Sequence, residues 1–435
     1  MEQTLAEKNS KKVINAWCSY DIANSAYSLS ISTAIFPIYY NAVMPKMIQF
    51  FGSMVPNTVL LNYAIAAGYF IIVFLTPLLS GIADLCGYRK RFMQLFTVIG
   101  SLSCIGLYWF TGDNLWPGLI FPATAVIGFA GSLVYYNSFL PIISTPNNHD
   151  KVSARGFMFG YAGSMFLLII NLVIIMNPET FGFVDAKGQG DGAAASRFAF
   201  LTVGVWWLLI GQIAIYYLRE YPSKIPFRTK ILVSGFREMA GVFKQVFNMP
   251  VIGSFLLAFF FLSTGVQTII MVAALFGSAE LGIEGPKLIL TILIIQMVAI
   301  FGAWIFGKVS TKMGNKFSLV IMLIIWILIC ISAYFIQNEI QFYILGALVG
   351  LVMGGIQSQA RSTFAKLIPE STTDTASFFS FYDITEKIAI VVGMFGFGFI
   401  QQLTGSMRNS ALFLGLLFLI SLVIVLTMQL KRVKG

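Results

Sequence analysis

Long apolar runs dominate this chain and constrain its fold more than any other feature. Bounded by charges, Gly and Pro, they fall at 13–45, 59–83, 91–111, 117–143, 153–177 and 197–218. A second set follows at 249–278, 285–311, 315–337, 339–365, 375–404 and 407–430. A helix needs about 20 mostly apolar residues to cross a bilayer, and each run is long enough. Apolar residues are 57% of the 435 and charged residues only 11%, against roughly 25% charged in soluble chains. So few charges cannot cover the surface of a soluble fold of this size. The expectation is an all-α membrane protein with 12 transmembrane helices. Continuous rather than alternating runs argue against a membrane β-barrel. Cys18, Cys86, Cys104 and Cys330 lie in or beside apolar runs and imply no disulfide framework. Asp21 and Asn24 interrupt any h-region after Lys8, Lys11 and Lys12, so the first run is read as a retained helix and not a cleaved signal.

The formal net charge of +10 superficially suggests nucleic acid. Its distribution argues otherwise. With the N-terminus inside and the runs alternating, 22 of the 28 Lys and Arg fall on the cytoplasmic side and 5 outside; Lys387 lies within a run. That bias predicts both termini cytoplasmic, makes the charge an insertion signal, and leaves no expected nucleic-acid partner. The six-plus-six pattern divides the chain into an N-terminal six-helix bundle at 1–218, a cytoplasmic linker at 219–248 and a C-terminal six-helix bundle at 249–435. Within the linker, 228–247 places Leu232, Phe236, Met239, Phe243 and Val246 at helical spacing, with Arg228, Lys230, Arg237 and Lys244 supplying positive charge. This suits a basic amphipathic helix on the inner leaflet, serving as a tether. The outer loop 178–196 has Asp185, Asp191 and several Gly but lacks calcium-loop spacing and a terminal Glu; it is read as a flexible loop.

The halves share punctuation. Ser80, Asp84 and Gly87 correspond to Gly307, Thr311 and Gly314 at an offset of 227, and Leu140-Pro141 to Ile368-Pro369 at 228, which suggests duplication. The segment 80–91, SGIADLCGYRKR, resembles the loop 2–3 signature of major facilitator superfamily transporters. Small residues there allow tight helix packing, and Asp84 can accept from helix N-termini or cations. The resemblance implies a gating role for Asp84 with Arg89, Lys90 and Arg91. Further segments are similar to the autophagy-related vacuole-effluxer-like family, also called the unknown major facilitator family: YDIANSAY at 20–27, NSFLP at 137–141, GFMFGYAGS at 156–164, GGIQSQARS at 354–362 and FYDITEK at 381–387. The fold implied is the major facilitator fold of two pseudo-symmetric bundles. Fungal members are implicated in releasing amino acids from vacuoles.

Charges deep in a bilayer usually face a cavity or each other. Asp21, Asp383, Glu386 and Lys387 stand out. Asp21, Asn24, Ser25, Ser28 and Ser32 follow i, i+3, i+4, i+7, i+11, which is one helical face, and should line a central cavity. Asp383 and Lys387 are spaced i, i+4 for an ion pair. Glu386 has no local cation at helical spacing, and such a carboxylate can bind and release a proton near neutral pH; pairing with another helix is the alternative reading. Tyr136, Asn137, Tyr161, Asn171, Gln267, Gln296 and Gln357 are cavity candidates or interhelical glue. Arg361 either snorkels or gates. His149 is read as a solvated loop residue. No Walker loop, H-E-x-x-H or nucleophile elbow occurs, so the chain is not read as an enzyme, and no metal or cofactor is expected. The reading is a monomeric secondary transporter in the bacterial inner membrane, moving a small polar solute by alternating access, with an amino acid favoured by the resemblance and proton-coupled export as the direction. A lipophilic drug or lipid exporter, and a non-transporting receptor or intramembrane enzyme, are the alternatives.

Overall fold

A computed structural model describes residues 8–219, 240–246, 248–283 and 285–429. Helix formation follows the apolar runs closely. The first helical stretch comprises α1 (Lys11–Ala26), a wider π segment (Tyr27–Ile35) and α2 (Phe36–Val43). A two-stranded hairpin follows, β1 (Met47–Phe50) and β2 (Ser53–Pro56). Then come α3 (Asn57–Cys86), α4 (Arg89–Gly106), α5 (Leu115–Ser138), the short α6 (Leu140–Ile143), α7 (Pro146–Met176) and α8 (Gly192–Tyr217). The second half holds α9 (Pro250–Leu281), α10 (Gly285–Met313), α11 (Asn315–Phe335), α12 (Glu339–Leu367), α13 (Thr375–Thr404) and α14 (Met407–Thr427). Among the described residues, ten helices are long and apolar enough to cross a membrane. Two further stretches have crossing length: 11–43, with its π segment, and α13, which carries Asp383, Glu386 and Lys387.

Within the first half, α1 packs on α7 and α8, α3 on α5, and α4 on α5 and α8. Within the second, α10 packs on α12, α11 on α14 and α12, and α9 on α13 and α14. Small residues permit the closest approaches, as expected where lipid removes the hydrophobic drive between helices. A Cβ on Gly302, Gly350 or Gly354 would run into a carbonyl of the facing helix in the α10–α12 pair. The halves meet where α7 packs on α10 and α12, and where α13 packs on α3 and α5. Gly87 (φ 71°) ends α3 and Gly314 (φ 91°) separates α10 from α11. Both φ values lie where glycine is favoured, but ψ is 27° at Gly87 and 157° at Gly314, so the two matched positions of the repeat turn the chain in different ways.

Several expectations need correction. The polar stripe of the first helix does not run on one face to Ser32. From Tyr27 to Ile35 the chain winds as a π-helix with i→i+5 backbone bonds, and the 3.6 period no longer applies. Asp21 and Asn24 are buried, whereas Ser32 is exposed. Helix α7 begins seven residues earlier than its apolar run, because Pro146 suits a first helical position. His149 is therefore helical and buried, not solvated, with Nε2 3.2 Å from Ser144 O. In the outer loop, Asp185 accepts from the Lys187 and Gln189 amides at 2.8 and 2.9 Å, and Asp191 caps α8 through Ala194 N. Of the linker helix expected at 228–247, residues 228–239 and 247 lie outside the described residues. Residues 240–246 are helical, with Val242 and Val246 buried and Phe243 against Phe381.

Candidate functional site

Arg361 sits about six residues from the end of α12, or roughly 9 Å along the axis. It does not snorkel. It is 3% exposed, and its guanidinium points into the first half. Its Nε donates to Ser153 Oγ at 2.9 Å. Nη1 reaches Asp21 Oδ2 at 3.4 Å and Asn137 Oδ1 at 3.3 Å; Nη2 reaches Asp21 Oδ2 at 3.3 Å and Ser153 O at 2.9 Å. All five donors of the fork thus find acceptors on the other half. Phe157, Trp17 and Tyr136 surround it, with ring centroids 4.2, 4.8 and 5.5 Å from its central carbon. Tyr136 donates to Asp21 Oδ2 at 2.6 Å and stacks on Trp17 at 4.4 Å. Trp17 Nε1 in turn donates to Tyr136 O at 2.9 Å, fixing the indole. Gly156 of α7 makes room for the pair: a Cβ there would meet Asp21 Oδ2, and Arg361 Nη2 at 2.9 Å. Beside the clamp, Ser153 Oγ donates to Ser358 O at 2.8 Å, and Tyr161 donates to Gln357 Oε1 at 2.5 Å.

Two further contacts join the halves at the same end of the bundle. Asp84, at the end of α3, caps α13. It accepts from Ala376 N at 3.2 Å and Ser377 N at 2.7 Å, and pairs with Arg89 at 2.7 Å. Arg89 also donates to Thr373 O. A carboxylate suits the first turn of a helix, where free N–H groups and the helix dipole are positive. Across the pseudo-dyad, the α10–α11 turn presents Asn315 to Asp150 of α7, with Asn315 Nδ2 donating at 2.8 Å. Lys366 pairs with Asp150 at 2.6 Å and donates to Asn315 Oδ1 at 2.7 Å. Each turn of the repeat therefore meets an early turn of a helix in the opposite half. Arg91 stacks on Tyr88 at 4.3 Å, and Lys90 is half-buried.

A second charged group lies on α13. Lys387 Nζ is 3.1 Å from Asp383 Oδ1, the ion pair expected at that spacing. Glu386, expected to lack a cation, also lies 3.1 Å from Lys387 Nζ, because the long Lys side chain folds back between two carboxylates. Gln267 of α9 donates to Glu386 Oε1 at 2.8 Å, which realises the alternative pairing with another helix. The cluster holds two acids and one base. Tyr69 of the first half faces it, its ring centroid 5.8 Å from Lys387 Nζ. Buried Asp383 Oδ2 and Asn24 Nδ2 have no hydrogen-bond partner among the described residues. Ser25 Oγ contacts Asn24 Oδ1 at 3.4 Å, Asn171 accepts from Thr202 at 2.9 Å, and Gln296 Oε1 is buried without a partner among the described residues.

Asp21, Tyr136, Asn137 and Arg361 therefore meet in one place, Tyr161 and Gln357 beside it, and Gln267, Asp383, Glu386 and Lys387 in another. Sequence reasoning missed Trp17, Ser153, Gly156, Asp150, Asn315 and Lys366. An Arg within the small-residue run at 354–363 was itself a signal that an acidic partner lies elsewhere in the membrane.

The fold matches solved transporters. The xylose–proton symporter XylE aligns over 95% of this chain and 94% of its own, with a TM-score of 0.71 and 12% identity. FucP, a major facilitator superfamily transporter in its outward conformation, aligns over 97% and 98% with a TM-score of 0.69 and 12% identity. At such identities the likeness establishes the fold alone. An MFS-type transporter, YxiO of Bacillus subtilis, is 34% identical over 420 residues, 96% of this chain and 95% of that protein. Autophagy-related protein 22-1 of Aspergillus niger is 29% identical over 260 residues, 55% of this chain but only 42% of the fungal protein. A family model described as vacuole effluxer Atg22 like matches residues 9–435. The chain is thus a multi-pass membrane protein with the major facilitator fold, and it belongs to the Atg22-like vacuole effluxer family.

Proposed function

We propose that the protein is a secondary active transporter in which two six-helix bundles, residues 1–218 and 249–435, rock about a central site. The observation that carries this reading is the Asp21–Arg361 clamp. A charged pair buried between two repeats is expensive to keep in a membrane, and alternating access gives it a purpose: it seals one face in one state and separates in the other. The Asp84 and Asp150 contacts lie at the same end and act in the same direction. The positive-inside bias supports a cytoplasmic location for this end, in a reading with twelve crossings and both termini inside. The bacterial relative supports a cytoplasmic membrane, where the chain works as a monomer.

The substrate is a small polar solute, with an amino acid or related zwitterion the best fit. Arg361 can bind a carboxylate when Asp21 withdraws, and Asp383 and Glu386 can bind an ammonium group. The fungal relatives' name, vacuole effluxer, supports export. Glu386 and Asp383 are the proton-coupling candidates: two carboxylates share one Lys387, so one added proton neutralises the cluster. A lipophilic exporter would need a large apolar pocket, about 300–1,000 Å³ for a drug-sized ligand. Among the described residues, one apolar cavity of about 70 Å³ lies within the second bundle, bordered by Ile269, Phe276, Ile329 and Leu345, and by itself is too small for such a ligand.

Counterflow of labelled amino acids in proteoliposomes tests the substrate class. Exchange of an amino acid but not of a lipophilic cation is expected, and the reverse pattern overturns the zwitterion reading. For coupling, uptake driven by a pH gradient should fall in Glu386→Gln or Asp383→Asn while counterflow persists. Undiminished gradient-driven uptake in both variants removes the cluster from the coupling role.

A further inference from the structure

The hairpin between α2 and α3 carries a feature that neither the transport site nor the bundle packing uses. Phe50 pairs with Ser53, leaving Phe51 and Gly52 as a two-residue turn. Both have positive φ, 46° and 84°, the pattern of a type I′ turn, whose first position strongly favours Asn, Asp or Gly. A bulky aromatic there is a backbone outlier. Phe51 is also 93% exposed. The chain thus keeps an unfavourable residue in an unfavourable conformation at a point where burial in the protein returns nothing. Strain of this kind persists where it serves a function.

The rest of the hairpin indicates what covers the tip. One face, Ile48, Phe50 and Val55, packs on the core of the first half. The other face presents Met47 and Met54, which are exposed. Phe51 rests edge-on against Phe50 at 4.6 Å, and Phe50 reaches Trp116 of α5 at 6.3 Å. Trp116 and, one turn on, Ile120 are exposed, as are Tyr63 on α3 and Trp109 beyond α4. The apolar surface of the hairpin is therefore continuous with the sides of membrane-length helices. No charged residue occurs from Met47 to Ala83. A water-facing lid or a protein-binding tip has no reason to exclude charge so completely, whereas an element at the headgroup–acyl boundary does. Aromatic side chains are concentrated at that depth.

We propose that the hairpin tip is a membrane anchor: Phe51, with Met47 and Met54, inserts into the interface of the leaflet opposite the Asp84 latch, and holds the outer end of the first helix against the bilayer. The four native cysteines are buried, so a single introduced cysteine can be labelled selectively. The test attaches a nitroxide at Phe51→Cys and, for comparison, at Lys187→Cys in the exposed loop before α8, in the full-length protein in lipid nanodiscs. Collision rates are measured with oxygen, which concentrates in lipid, and with a water-soluble nickel chelate. The expected oxygen-to-nickel ratio at position 51 is several-fold higher than at 187. A ratio at 51 equal to that at 187 means that the tip faces water, over the vestibule or beyond it, and overturns the proposal. Low collision with both reagents means a protein partner covers it, and overturns it equally. Phe51→Asn, which suits the turn, keeps the test independent of strain: the label moved to Met54→Cys should lose its high oxygen-to-nickel ratio in that background.

Discussion

Replacing Asp21 by Asn probes the clamp with little change in shape. The amide can still accept from Tyr136, now 2.6 Å from Asp21 Oδ2, but Arg361 is left as a buried, uncompensated charge. Removing one partner of a buried pair costs about 3–5 kcal/mol. The penalty falls only on the state in which the halves meet at this end, because separation returns the guanidinium to water. At about 1.4 kcal/mol per decade, the equilibrium should move by roughly two to three and a half powers of ten toward the separated state. A cysteine pair at Ala154 and Gly307 reports the population. A Cβ on Gly307 would lie 2.7 Å from that of Ala154, too close for two Cβ atoms, and a disulfide needs them about 3.8 Å apart, so α7 and α10 must part by about 1 Å in every variant that carries the pair, and rates are compared within that background. Cross-linking should be fast with Asp21 and slowed sharply by Asp21→Asn. Adding Arg361→Met removes the stranded charge and should recover much of the rate, since the uncompensated buried charge carries most of the cost of breaking such a pair. Equal rates with and without Asp21 would refute the idea that this pair holds the halves together. Equal slowing in the single and double variants would show that charge is not what matters.

Two further outcomes test the surroundings of the clamp. Gly156→Ala should lower the thermal midpoint in detergent, because a methyl group against Asp21 and Arg361 costs about 1–3 kcal/mol of overpacking; an unchanged midpoint would mean the site has slack. Asp84→Asn should slow the Ala154–Gly307 cross-link by less than Asp21→Asn does, because the two α13 amides it caps are worth about 1 kcal/mol as an N-cap. A larger effect than that of Asp21→Asn would reverse the order of importance of the two contacts.

Length and apolarity were legible in the sequence because a bilayer imposes them on each helix separately. The run at 375–404 coincides with α13, and the run at 285–311 ends two residues short of α10. The Asp383–Lys387 pair was legible for the same local reason, being one helical turn apart. Three features were not. Asp21 and Arg361 are 340 residues apart, and no periodicity in either helix names the other. The π segment arises from a choice between i→i+4 and i→i+5 bonding that YSLSISTAI does not advertise by Pro or a Gly pair. The hairpin escaped notice because its turn, Phe51-Gly52, lacks the Asn or Asp that ordinarily marks one.

The material of the seal has a thermodynamic consequence. Where α7 faces α12 and the turns face opposing helices, many of the closing groups are hydroxyls, amides and ions: Ser153, Tyr161, Gln357, Asn315, Asp150, Lys366, Asp21 and Arg361. Water can replace every one of those partners. An apolar seal of the same size would gain strongly on closing and oppose reopening by the full hydrophobic term. A polar one exchanges protein hydrogen bonds for hydration at a net of about 0.5–1.5 kcal/mol each, or about 1.5–3 where a charged group takes part. The two arrangements of the halves can then lie close in free energy, and the barrier between them is a matter of hydrating a surface already suited to water.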